Sequence, residues 1–92
     1  MKKCVKITLQ GKFPEGFLFT FVKQQAQSLG LEGTAQMVTE DNIRIILCGD
    51  PTTIDRFMDF LHKHTEPADI NSIELEPFLK EKDYRGVFRV IE

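Results

Sequence analysis

Near the start of the chain Val5, Ile7 and Leu9 alternate with Lys6, Thr8 and Gln10, the period-two pattern of a strand that buries one face. From Phe17 or Leu18 the period changes. Leu18, Phe21, Val22, Gln25, Ala26 and Leu29 recur at intervals of three and four, which puts a mostly apolar stripe on one side of a helix. Gly30 follows where a helix end takes a left-handed residue, and Leu31 is placed to make the accompanying apolar contact. Gly33 then breaks the chain. Thr34 to Val38 and Ile43 to Cys48 read as two strands joined by the polar turn Thr39-Glu40-Asp41-Asn42, a hairpin. Ile43, Ile45 and Leu47 share its core face, with Arg44, Ile46 and Cys48 opposite.

Gly49-Asp50-Pro51-Thr52 opens a second helix, Asp50 serving as N-cap and Pro51 as the first helical residue. Ile54, Phe57, Met58 and Leu61 form its buried stripe, and Thr65-Glu66-Pro67 stops it. Ile70 to Glu76 alternates again through Ile73 and Leu75. Pro77 to Arg85 is a charged loop, and Gly86 to Ile91 a last short strand with Phe88 and Val90 inward. The fold class is α+β. The whole chain, residues 1–92, makes one domain, a ferredoxin-like α/β sandwich: βαββαβ plus a short terminal strand, with two helices on one face of an antiparallel sheet.

Composition narrows the function. Hydrophobic content of 41% with 28% charged residues is that of a soluble globular domain. A net charge of −2 lacks the basic surplus that phosphate neutralisation requires, so no nucleic-acid partner is expected. No run nears the ~20 apolar residues of a membrane span, and MKKCVKITLQ has no signal-peptide core. A cytoplasmic protein without a membrane partner follows, with Cys4 and Cys48 as free thiols.

The chemistry to examine lies between Gln10 and Gly30, a strand end, a loop and a helix start. Such junctions bind anions through free backbone N–H groups. Here Pro14 has no N–H, Glu15 brings a like charge, and Phe13, Phe17, Phe19 and Phe21 crowd the turn. That is poor equipment for a phosphate.

Gly11, the loop Phe13-Pro14-Glu15-Gly16-Phe17-Leu18-Phe19 and the helix end Ala26-Gln27-Ser28-Leu29-Gly30-Leu31-Glu32-Gly33 together resemble the acylphosphatase family. That family carries V-Q-G-V-x-F-R in the loop and A-x-x-L-G-L-x-G at the helix end. Gly49 with Phe57, and the strand from Gly86 to Val90, fall in place as well. The resemblance implies hydrolysis of small acyl phosphates without metal or other cofactor. An arginine at the loop end grips the phosphate, backbone amides cradle it, and an asparagine on the second strand orients the water. At those positions this chain carries Phe19 and Met37. Neither can donate a hydrogen bond to phosphate or position water.

Two readings follow. One is a catalytically degenerate acylphosphatase-like domain that serves as a small binding or interaction module, for a protein or a small apolar ligand. The other is a weak or divergent acylphosphatase, with Lys12 or Arg44 standing in for the lost cation. Phe19 and Met37 either fill the unused hollow as core or leave it as an apolar pocket. His62 and His64, two apart at a helix end, suit the dipole better than a metal. Cys4 and Cys48 fall on antiparallel neighbouring strands and on the same outer face, so they form a thiol pair near each other. The sequence names neither a partner nor an oligomeric state.

Overall fold

The computed structural model describes residues 3–13, 16–63, 69–78 and 87–91. The alternation at Val5, Ile7 and Leu9 becomes the buried side of strand β1 (Lys3–Lys12). A helical stretch follows in two parts: a π-helical segment, Phe17–Lys23, and helix α1, Gln24–Ser28. Then come β2 (Glu32–Thr39), β3 (Asn42–Gly49), α2 (Pro51–Lys63), β4 (Asp69–Pro77) and β5 (Phe88–Ile91). The five strands form one sheet in the order β4-β1-β3-β2-β5. β1 pairs antiparallel with β3 and β4, and β2 antiparallel with β3. β5 joins the free edge of β2 in parallel, so the sheet is mixed rather than wholly antiparallel. No described helix is long and apolar enough to cross a membrane.

The end of α1 follows its sequence signal. Gly30 sits at φ 71°, Leu31 N donates to Ala26 O at 2.9 Å, and Gly30 N donates to Gln27 O at 3.1 Å. These are the two bonds of a Schellman motif, and buried Leu31 is its apolar contact. The helix start departs from the expected single α-helix, because the first seven residues take the wider π turn. A π segment still brings residues four and five apart together, so Phe17, Leu18 and Val22 remain buried on one side. At α2, Ile54 N donates to Asp50 O at 3.0 Å, the first intrahelical bond, as an N-cap at Asp50 requires.

Gly33 does not break the chain. It lies inside β2, opposite Leu47 on one side and Phe88 on the other, at φ 139°. A Cβ there would overlap the Ile46 carbonyl, so glycine lets two backbones approach closely. The core is filled by Ile7, Leu9, Val22, Ile45, Leu47, Ile54, Phe57, Leu61 and Phe88 with their neighbours. Leu75 alternates as expected yet is 51% exposed on edge strand β4, while Ile73 packs against the core.

The expected pair of free thiols is also corrected. Cys4 and Cys48 are register partners on β1 and β3, with Cα atoms 4.1 Å apart, and their sulfurs are bonded. Both stand on the face away from the helices, because the strand period is two and Val5 and Leu47 take the core side. Residues 64–68 and 79–86, which hold His64, the helix-stop Thr65-Glu66-Pro67 and most of the charged loop, lie outside the described residues.

Candidate functional site

At the end of β1, Leu9 on β1 and Met37 on β2 both pair with Ile43 of β3. This row lies on the helix side of the sheet, beside the loop that leads to the π-helical segment. Leu9 and Ile43 are fully buried, whereas Met37 is 42% exposed. Met37 does not plug the hollow as core. It ends the apolar row at the surface.

Phe13 and Phe17 of the loop turn inward. Phe17 is 3% exposed and Phe13 is half-buried. Ring centroids run Phe13 to Phe17 at 5.1 Å, Phe17 to Phe21 at 4.9 Å and Phe21 to Phe60 at 4.7 Å. Phe60 has no cue in the residue pattern, since it stands beside the buried stripe of α2 and not within it. Four rings thus tie the loop to α2, and the aromatic cluster is packing, not an exposed patch. Gly16 takes the left-handed conformation before the π-helical segment, and its carbonyl accepts a 2.7 Å bond from Thr20 N. That amide is committed inside the turn. Pro14, Glu15 and the side chain of Phe19 lie outside the described part of the structure.

The two stand-in cations separate. Arg44 is on β3 between Ile43 and Ile45, so it points to the helix-free face, and its Nη2 donates to Gln36 Oε1 at 3.3 Å. Arg44 thus stands on the opposite face of the sheet from Met37. Lys12 is exposed at the end of β1 where the loop begins. His62 is exposed in the last turn of α2, where a positive charge favours the helix dipole.

A polar cleft of about 310 Å³ opens at the same end of the sheet, between β1, the β2–β3 turn and β4. Two irregularities frame it. The β1–β4 register shifts between Gln10 and Gly11, leaving Asn71 unpaired, and the β2–β3 register shifts between Met37 and Thr39. One extra residue in a strand bends it and re-aims side chains, a feature that no sequence period reveals.

A protein-family model described as Acylphosphatase matches residues 5–90. The chain belongs to the acylphosphatase family. An acylphosphatase of Methanococcoides burtonii is 28% identical over 72 residues, 78% of this chain and 75% of the relative. One of Vibrio parahaemolyticus is 27% identical over 90 residues, 97% of each. Among solved structures, an acylphosphatase from Coxiella burnetii superposes with a TM-score of 0.84 at 23% identity, covering 98% of this chain and 93% of its own. That likeness bears on the fold, the ferredoxin-like sandwich of an acylphosphatase.

Proposed function

We propose that this acylphosphatase-family domain has lost acyl-phosphate hydrolysis and acts as a small binding or interaction module. The observation that carries the reading is Met37. The resemblance assigns its position to a water-orienting asparagine. A thioether cannot donate a hydrogen bond and is a weak acceptor, and Met37 stands open at the end of the Leu9–Ile43 row. Phe19 occupies the position of the phosphate-gripping arginine and carries no charge. Arg44 faces away, and Lys12 offers a point charge rather than a bidentate fork.

Loss of a single oxyanion donor costs ~10²–10³ in rate, so two losses leave little catalysis. The partner this surface suits is a protein or a small ligand that covers Met37 with apolar atoms. Benzoyl phosphate hydrolysis tests the reading. The expected result is turnover indistinguishable from the uncatalysed rate. Turnover at the level of an ordinary acylphosphatase would overturn it, and sensitivity of that turnover to Lys12→Ala would identify Lys12 as the replacement cation.

A further inference from the structure

The sheet has a short edge, β5 of 4 residues, and a long one, β4 of 9 residues. Among the described strands β4 pairs only with β1, and its outer side is open. The ladder fixes which of its backbone groups are free. Cys4 stands in a non-hydrogen-bonded pair with Cys48, so its own N–H and C=O turn toward β4, and Phe78 N donates to Cys4 O at 3.1 Å. The alternation continues along β1, so Glu76 and Glu74, opposite Lys6 and Thr8, bond inward. Leu75 and Ile73, opposite Ile7 and Leu9, therefore turn their N–H and C=O to the open side.

The side chains on that edge alternate in chemistry. Leu75, opposite buried Ile7 on the helix side, is 51% exposed, and Ile73 beside it is only partly buried against the core. Glu74 and Glu76 are exposed on the other face. Lys6 Nζ meets Glu76 Oε1 at 3.3 Å from the inner side, whereas Glu74 faces Thr8 and has no ion-pair partner among the described residues. Glu74 also lies between the two residues whose backbone groups point outward. Against an added antiparallel strand it would stand in a non-hydrogen-bonded pair, where facing side chains come closest.

A second copy does not suit this edge. Two β4 strands paired about a two-fold axis at Leu75 set Glu74 against Glu76, and about an axis at Glu74 they set that carboxylate against itself. Registers centred farther toward Ile73 run into the shift opposite Gln10 and Gly11. Complementarity calls for cations where the edge carries carboxylates, and for apolar groups beside Leu75 and Ile73. We propose that the outer edge of β4 takes up an extended segment of a partner protein in which Lys or Arg alternates with apolar residues, added as a further antiparallel strand. Main-chain bonds to Ile73 and Leu75 hold it, and the cation facing Glu74 selects it. Pro77, which has no N–H, ends the added ladder. The inference does not depend on the loss of hydrolysis, since β1 and β3 separate β4 from the strand that carries Met37.

The test is a titration of the ¹⁵N-labelled full chain with acetylated, amidated hexapeptides: Lys-Val-Lys-Val-Lys-Val, Lys-Gly-Lys-Gly-Lys-Gly and Glu-Val-Glu-Val-Glu-Val. The first is expected to shift the backbone amides of Ile73, Glu74 and Leu75 saturably, with Kd of about 1 mM or tighter. The glycine peptide keeps the charge but lacks apolar groups and strand propensity, and the glutamate peptide carries the wrong sign. Each should bind at least about tenfold more weakly. Glu74→Lys, at an exposed position, should weaken the first peptide by about fivefold and strengthen the glutamate peptide. Leu75→Pro removes an outward N–H and leaves the bonds to β1 in place, so it should abolish binding while the other amide resonances keep their positions. Absence of saturable shifts with the first peptide overturns the proposal. So do shifts that saturate away from β4, equal binding of the glycine peptide, which would mark attraction by charge alone, or affinity unchanged in Glu74→Lys.

Discussion

Cys4 and Cys48 face each other across β1 and β3, and their bond spans a sequence separation of 44 residues. The 4.1 Å between their Cα atoms belongs to the closely spaced, non-hydrogen-bonded kind of antiparallel pair. Cys48 is 1% exposed, while Cys4 is half-buried and is the more open end of the cross-link. The segment they enclose contains the π-helical segment, α1 and the β2–β3 hairpin, so the cross-link restrains about half of the unfolded chain. The cytoplasmic, reduced-thiol expectation and this bond pull in opposite directions, which makes the redox state a measurable property of the fold.

Protein purified without reductant is expected to have an intact mass two hydrogens below that of the dithiol form. Reduction, or Cys4→Ala with Cys48→Ala, should lower stability by about 2–4 kcal/mol, the usual worth of a native cross-link. Urea unfolding measures it. Two titratable thiols in the purified protein, with a midpoint indifferent to reductant, would show that the strands pair without the bond.

The two glycines that bracket Leu31 and Glu32 should respond differently to alanine. Gly30→Ala puts a Cβ on a left-handed residue with nothing within 4 Å, so the loss should be about 1–2 kcal/mol of backbone strain. Gly33→Ala meets the Ile46 carbonyl as well as an unfavourable φ. It must separate β2 from β3 and disturb the Gly33 N to Val87 O bond of 3.0 Å that ties in β5. A loss of at least about 3 kcal/mol is expected. Equal midpoints for the two variants in urea would contradict this ranking.

The aromatic series makes a third prediction. Phe17→Ala empties a buried ring site and should cost about 3–5 kcal/mol. Phe21 and Phe60 are only partly buried, and each alanine should cost less. Their tilted rings, 4.7 Å apart, should show a coupling of about 0.5–1.5 kcal/mol in a double-mutant cycle. Additive losses would mean that the rings are neighbours without being partners.

The fourth is an expected near-silence. Lys6 Nζ lies 3.3 Å from Glu76 Oε1 across β1 and β4, with side chains 32% and 58% exposed. Water and salt screen such a pair, so Lys6→Ala should change stability by less than about 1 kcal/mol. A larger loss would mean that Lys6 does more than pair with Glu76.

How far the sequence could be read follows from which features have a period. Val5, Ile7 and Leu9, the Gly30–Leu31 helix end and the opposition of Cys4 and Cys48 follow from alternation, turn chemistry and strand order. The π turn at Phe17 does not, because spacings of three, four and five overlap over so short a segment. Nor do the shifts beside Gln10 and Met37, since one extra residue changes pairing without changing composition. Leu75 keeps its alternation but is exposed, because burial also depends on what covers the sheet edge. The polar cleft is built from those irregularities, which is why Gln10, Asn42 and Asn71 give no signal in the sequence.

The last prediction concerns restoration of the family's polar pair. Phe19→Arg with Met37→Asn returns a bidentate cation and a water-orienting amide to their positions, and each such group can be worth ~10²–10³ in rate. The loop would still carry Pro14, which has no N–H to offer, and Glu15, whose charge opposes a phosphate. Thr20 N would still be committed to Gly16 O. Benzoyl phosphate hydrolysis by the double variant should therefore remain at least about 10²-fold below that of an ordinary acylphosphatase. Adding Glu15→Gly should raise the rate further, because it removes the repulsion and leaves an amide in the cradle. Full activity in the double variant alone would mean that the backbone after Gly11 still forms a competent anion cradle, and that Phe19 and Met37 by themselves account for its loss.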